Sequence, residues 1–168
     1  MTITARLDLQ RVFEVAAAAP EVFAVLSDVP LSVSHFPKVE RLTCVDAEDP
    51  RGRPGAVYEW RMERVGTEKI KIQTVYACRY ESTFDPVTGR GTVTWTPVPG
   101  VGNALIGGHW AIDARAAGPG TRLTLVTRGQ LDVPLPALMS RVVSPIVTGE
   151  FERLVGRYVE NLRARFGG

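Results

Sequence analysis

The sequence of 168 residues holds few of the side chains that most often carry chemistry. Its two histidines, His35 and His109, stand far apart. Metal centres need clustered ligands, so no metal is expected, and no motif calls for a cofactor. The two cysteines, Cys44 and Cys78, are also distant and in no metal-like spacing. Both are expected to be buried thiols in a reducing compartment, not a disulfide. No Gly-x-Ser-x-Gly elbow presents a nucleophile. The stretch "GVGNALIGG" lacks the lysine and spacing of a phosphate-binding loop and runs into a strand, not a helix. No apolar run approaches the ~20 residues that span a bilayer. The residues "MTITARLDLQ" lack the charged start and apolar run of a signal peptide. A cytoplasmic protein without stable membrane insertion is therefore expected. The net charge is only +2, with basic and acidic residues interleaved. There is no basic stripe of the kind nucleic acid needs, so no nucleic-acid partner is expected. Monomer and homodimer both stay open.

What is present is patterned apolar content. The apolar fraction, 45 %, is ordinary for a globular chain, and the length suits one domain over residues 1–168. Residues 3–15 alternate apolar and polar as a half-buried strand does. Val12 and Phe13 blur the alternation and leave room for a bulge. Pro20 opens a short helix in "PEVFAVLSDV" with Val22, Phe23, Val25 and Leu26 inward. "PLSVSHF" predicts a second short helix, stopped before Pro37. From Val39 to Gln130 six strands follow in a meander: "VERLTCVD", "AVYEWRMERV", "KIKIQTVYACRYESTF", "TVTWTPV", "ALIGGHWAIDA" and "TRLTLVTRGQL". "RGRPG" is one of the turns between them by composition. Apolar residues then recur at helical spacing from about Leu135 to about Phe166. Leu135, Leu138, Val142, Ile146, Leu154, Tyr158 and Leu162 form the stripe, with Met139, Val143, Val147, Phe151 and Val155 beside it.

Seven strands with one apolar face need a cover, and the long helix has the length and the stripe to supply it. Pro145 predicts a kink in that helix. Gly149, one turn on, would let a ligand or another backbone come close. The inner face of the sheet mixes Ala56, Thr74, Cys78, Gly108 and Ala114 with large aromatics, which favours a shaped pocket over a uniformly packed interior.

This arrangement resembles the START/Bet v 1-like (SRPBCC) superfamily, and within it the polyketide cyclase/dehydrase and lipid-transport group. "FEVAAAAPEVFAVLSDVPLSVSHFPKVERL" resembles the family's strand, proline-led helix, aspartate and second short helix. "GHWAIDARAAGPGTRLTL" resembles its strand–turn–strand, with a tryptophan before the turn and Gly-x-Thr after it. The long terminal helix completes the pattern. The chain departs from many such proteins at His35 and Phe36, where a tryptophan is common. The resemblance implies an α+β helix-grip fold: a curved seven-stranded antiparallel sheet, two short helices, and a long C-terminal helix over a cavity. It also implies binding of a hydrophobic or amphipathic small molecule such as a lipid, isoprenoid or polyketide-like compound. A cyclase/dehydratase-type enzyme using the same pocket is the alternative.

Tyr58, Trp60, Tyr76 and Tyr80 share one face of neighbouring strands, where hydroxyls on an apolar wall could orient a ligand. Trp95 and Trp110 join them, and Val143, Ile146, Val147 and Glu150 face them from the helix. His35 stands where such proteins open their cavity. Glu150 and Tyr76 are the candidates for moving protons. Glu150 could equally be a boundary residue paired with Arg153. By alternation with Trp110 and Ile112, His109 points away from the pocket. Arg64 has inward parity at a strand end, where snorkelling to the edge is expected.

Overall fold

The computed structural model describes residues 2–46, 55–116 and 118–168. Most of the turn expected over "RGRPG" lies outside these residues, with only Gly55 described. Strand β1 (Ile3–Val15) buries Ile3, Ala5, Leu7, Leu9, Phe13 and Val15. It pairs with the last strand from Ile3↔Val133 to Val15↔Thr121 without a register shift. A bulge near Val12 is therefore absent. Val12 keeps the outward parity and is half-exposed, an apolar residue on a polar face.

Helix α1 (Ala19–Leu26) carries Pro20 in its first turn and buries Ala19, Val22, Val25 and Leu26. Phe23 is only partly covered and stacks on Phe84 at 5.0 Å. The second expected helix is a 3-10 segment, Pro30–Ser34. Five residues pinned between prolines are too few for an α-helical ladder, so the tighter turn forms.

The main sheet then adds β2 (Val39–Asp46), β3 (Val57–Met62), β6 (Val75–Asp85), β7 (Arg90–Pro97), β8 (Ala104–Ala114) and β9 (Thr121–Val133). Its order is β1-β9-β8-β7-β6-β3-β2, antiparallel throughout. Between β3 and β6 lies a two-stranded ribbon, β4 (Val65–Gly66) and β5 (Lys71–Ile72). The single long strand expected from Lys69 to Phe84 is thus broken. Side-chain amides take over the ladder at the break. Asn103 Oδ1 accepts from the Val75 amide at 2.9 Å, and Asn103 Nδ2 donates to the Gln73 carbonyl at 2.8 Å. Gln73 Nε2 in turn donates to the Met62 carbonyl at 3.0 Å. At β8–β9 two glycines permit a close approach of backbones. A Cβ on Gly108 would meet the Val126 carbonyl oxygen at 2.1 Å, and one on Gly129 the Leu105 carbonyl oxygen at 2.1 Å.

Helix α2 (Ser140–Phe166) runs across the sheet after a 3-10 turn, Ala137–Met139. The helix starts later than expected. The tighter turn shifts the phase of the stripe, which leaves Leu138 and Val142 exposed and buries Val143. The helix continues unbroken through Pro145. A side chain added at Gly149 would meet nothing within 4 Å, so no other backbone approaches that glycine closely.

The core has three parts. Val155, Tyr158, Val159, Leu162 and Phe166 join α1, β1, β8 and β9 in the largest. Val143 and Val147 pack with Ile3, Ala5, Leu7, Leu131 and Val133 in the second. Val29, Trp60 and Met62 form the third, under the 3-10 segment. Fully burying one such side chain contributes about 1.5–3 kcal/mol. The C-terminal end of α2 is tied down by backbone bonds from Ala16 to the Gly167 carbonyl and from Ala17 to the Phe166 carbonyl.

Candidate functional site

Two apolar cavities lie between α2 and the sheet. The first, about 60 Å³, is walled by Leu7, Ile72, Leu131, Ile146 and Val147, with Lys38 and Glu150 at its edge. The second, about 70 Å³, is walled by Leu26, Trp60, Tyr80, Trp95, Trp110 and Tyr158, among others. Phe36, Tyr76, Ile106 and Phe151 line both, so these four side chains form a waist between adjoining spaces. Each cavity can hold several solvent-sized groups, while a drug-sized ligand occupies about 300 Å³ or more. A guest of that size requires the waist to move.

The second cavity is an aromatic box. Trp60 lies parallel to Tyr76 with centroids 6.2 Å apart. Phe36 meets Trp60 at 6.0 Å and Tyr158 at 4.9 Å. The Trp60 indole N–H donates to the Tyr80 hydroxyl at 2.7 Å. Burial pushes the Tyr158 hydroxyl up to about 12, against the pull of hydrogen bonds from Trp110 and Ser32. Burial likewise holds the hydroxyls of Tyr76 and Tyr80 well above the usual phenol value. All three stay protonated at neutral pH. The Tyr76 hydroxyl differs from the other two in having no hydrogen-bond partner among the described residues.

Glu150 is largely covered. One carboxylate oxygen lies 2.8 Å from Lys38 Nζ, and the other accepts from Arg153. Both oxygens are thus occupied by cations, as the boundary reading of this residue anticipates. Lys38 reaches it from a backbone at φ +58°, the left-handed region, which is rare for residues other than glycine.

Of the residues expected at the site, Trp60, Tyr76, Tyr80, Trp95, Trp110, Ile146, Val147 and Glu150 border a cavity. Tyr58, Val143 and His35 do not. Tyr58 packs edge-on against Tyr80 at 5.9 Å, one layer behind the wall. Val143 is fully buried in the second core cluster, because the stripe is rotated there. His35 is buried at the C-terminal half of α2. Its carbonyl accepts from Asn161 at 2.7 Å, and its Nε2 faces Arg165 at 3.3 Å. Its neighbour Phe36 takes the place at the waist. Cys78 is buried as expected, and Cys44 is exposed, because β2 is an edge strand with little covering it. His109 lies with Arg6 and Arg128 in a groove apart from the cavities.

Sequence reasoning missed Phe36, Phe151 and Tyr158 as site residues and Lys38 as a partner of Glu150. Phe151 and Tyr158 were visible as part of the apolar stripe. Nothing in the sequence marks Lys38 except its place after Pro37.

Comparison with protein-family models and with curated proteins gives no match. Solved structures do match. A human StAR-related lipid transfer protein is 14 % identical, with TM-score 0.70 over 95 % of this chain and 75 % of its own. The Zhui aromatase/cyclase of a Streptomyces species is 18 % identical, with TM-score 0.60 over 93 % and 88 %. A START superfamily protein of Mycobacterium smegmatis is 17 % identical, with TM-score 0.59 over 95 % and 97 %. This chain has the START/Bet v 1-like helix-grip fold. In this fold α2 is held against the sheet, and the two cavities lie between them. Among the described residues no helix is long and apolar enough to cross a membrane, and no group of three or more His, Cys, Asp or Glu is placed to hold a metal.

Proposed function

We propose that this protein binds a hydrophobic or amphipathic small molecule in the paired cavities beneath α2, as one domain spanning the whole chain. The observation that carries the reading is the pair of adjoining apolar cavities beneath α2, with the Tyr76 hydroxyl, unpaired among the described residues, on the wall they share. A ligand oxygen that accepts a hydrogen bond from this hydroxyl gains about 0.5–1.5 kcal/mol. The apolar walls supply affinity at about 25 cal/mol per Å² buried, and Tyr76 supplies orientation. The lipid-transfer and aromatase/cyclase neighbours support a guest of lipid or polyketide-like character.

A cyclase/dehydratase reaction draws less support. It needs a base within reach of the substrate. Both oxygens of Glu150 are taken by cations, and Tyr76, held protonated at neutral pH, does not serve as a base.

All three tryptophans line the second cavity, so their fluorescence reports its filling. Native mass spectrometry of protein purified from its own host should show a bound small molecule. Titration with the neutral apolar dye Nile red should quench tryptophan emission. Tyr76→Phe should weaken a carbonyl-bearing guest by about fivefold, the equivalent of one hydrogen bond. No co-purifying molecule and no quenching would remove the reading.

A further inference from the structure

The first cavity opens beside a charged pocket of about 370 Å³. The two share Lys38, Val65 and Glu150, so the charged space adjoins the apolar one. Four cations stand around the charged pocket, Lys38, Arg64, Lys71 and Arg153, against the carboxylate of Glu150 in the pocket and that of Glu63 on the adjoining cavity. The whole chain carries a net charge of only +2 and just three lysines, Lys38, Lys69 and Lys71, so two of the three gather here. Lys38 and Arg153 share Glu150. Arg64 and Lys71 are exposed and have no ion pair among the described residues. The pocket therefore keeps a surplus of positive charge.

The backbone holds one of these cations in place at the mouth. Lys38 is the sole residue other than glycine with positive φ among the described residues. Its carbonyl accepts from the Glu63 amide at 2.8 Å while its ammonium grips Glu150. A rare backbone conformation persists where the surroundings over-determine it, and such positions cluster at binding sites.

We infer that this mouth binds the anionic head, carboxylate or phosphate, of an amphipathic molecule whose tail lies in the first cavity. The inference rests on the ligand-binding reading above and adds the class of ligand to it. A neutral guest gains nothing from Arg64 and Lys71. An anion gains charge-assisted hydrogen bonds, and guanidinium groups match the geometry of carboxylate and phosphate oxygens. Entry of the anion also relieves the mutual repulsion of the four cations.

Calorimetric titration with four probes tests it: decanoate, decyl phosphate, 1-decanol and inorganic phosphate. The three tailed probes share an alkyl chain and differ in the head. At least one tailed anion should bind about tenfold tighter than 1-decanol, the equivalent of about 1.4 kcal/mol. Its advantage should shrink as salt rises from 0.01 M, where screening acts over roughly 30 Å, to 1 M, where it acts over roughly 3 Å. The variant Arg64→Gln/Lys71→Gln, at two exposed positions, should erase most of the advantage and leave 1-decanol binding as it was. A preference between the two anions names the head. Equal affinity for 1-decanol and both anions, or an advantage untouched by the variant, overturns the inference and leaves the ligand-binding reading standing. Inorganic phosphate binding as tightly as decyl phosphate overturns it too, because the anion would then need no tail. Failure of every tailed probe, 1-decanol included, overturns both readings together.

Discussion

Removing one oxygen from Tyr80 should destabilise the protein, whereas removing one from Tyr76 should not. Both residues lie on β6, both border the second cavity, and burial holds both hydroxyls protonated. They differ in partners. The Tyr80 hydroxyl accepts the Trp60 indole N–H at 2.7 Å, and Trp60 is only 5 % exposed. Tyr80→Phe strands that donor where water cannot reach it, a loss of about 1–3 kcal/mol. Tyr76→Phe strands nothing, because its hydroxyl has no partner among the described residues. It removes a hydroxyl that has no protein partner among the described residues and leaves the ring, so the unliganded protein should stay within about 0.5 kcal/mol of its starting stability. For a chain of this size 1 kcal/mol is about 2–4 °C in Tm. Urea unfolding followed by circular dichroism should show a lowered midpoint for Tyr80→Phe, a nearly unchanged one for Tyr76→Phe, and the same slope for both. Trp60→Phe combined with Tyr80→Phe should cost less than the two single changes added together, since the double change leaves no orphan. If Tyr76→Phe loses as much as Tyr80→Phe, the hydroxyl is structurally partnered and the argument for a ligand at the waist is refuted.

Further expectations follow from the same geometry. The Cys78 thiol is pushed up to about 12 by burial and donates to the Ile106 carbonyl at 2.9 Å, whereas Cys44 is exposed. A thiol reagent at pH 8 should therefore label one cysteine in the folded protein and the second only on unfolding; two fast-reacting thiols would contradict the burial. Burial and then Arg165 lower the pKa of His35 below its ordinary value of 6.5, so the unfolded chain takes up the proton first as pH falls. Stability should be level above that pH and decline below it by at most about 1.4 kcal/mol per pH unit, and His35→Gln should flatten the decline in urea midpoints. Leu162 is fully buried where α2 meets the largest core cluster, so Leu162→Ala should cost about 2–5 kcal/mol in urea unfolding, and a loss under 1 kcal/mol would mean the helix is not gripped there.

The fold was legible in the sequence wherever periodicity was strong. The alternation of Ile3, Ala5, Leu7 and Leu9 and the inward parity of Trp110 and Ile112 place β1 and β8 with the correct faces. What escaped depends on contacts between distant residues. The side chain of Asn103 breaks the strand at Gln73–Val75, and no local pattern at either end reveals that. A 3-10 turn at Ala137–Met139 rotates the start of α2, so Leu138 and Val142 fall outside and Val143 inside. At the site, residues on strands were easier than residues before them. Trp60, Tyr76 and Tyr80 follow from parity. Phe36 and Lys38 sit in an irregular connection, where parity says nothing, and their roles appear only once the chain has folded.

The position of the hollow follows from how α2 is gripped. Toward its start Val143 and Val147 are locked into one core cluster, and from Val155 onward the helix is locked into another. Between them, from 148 to 154, no residue is fully buried. That loosely held stretch contains Gly149 and Glu150 and follows Pro145 by one turn. Proline leaves the Arg141 carbonyl without its usual donor, and glycine is the weakest helix former after proline. Neither is needed for close packing, since Pro145 is exposed and the space beside Gly149 is open. Their shared effect is to lower the cost of deforming the helix where the two cavities meet. Phe151 lies in this stretch, packs against both clusters and lines both cavities. A small outward displacement of this one segment would draw Phe151 from the waist and join the two spaces, with the well-packed ends of the helix unmoved.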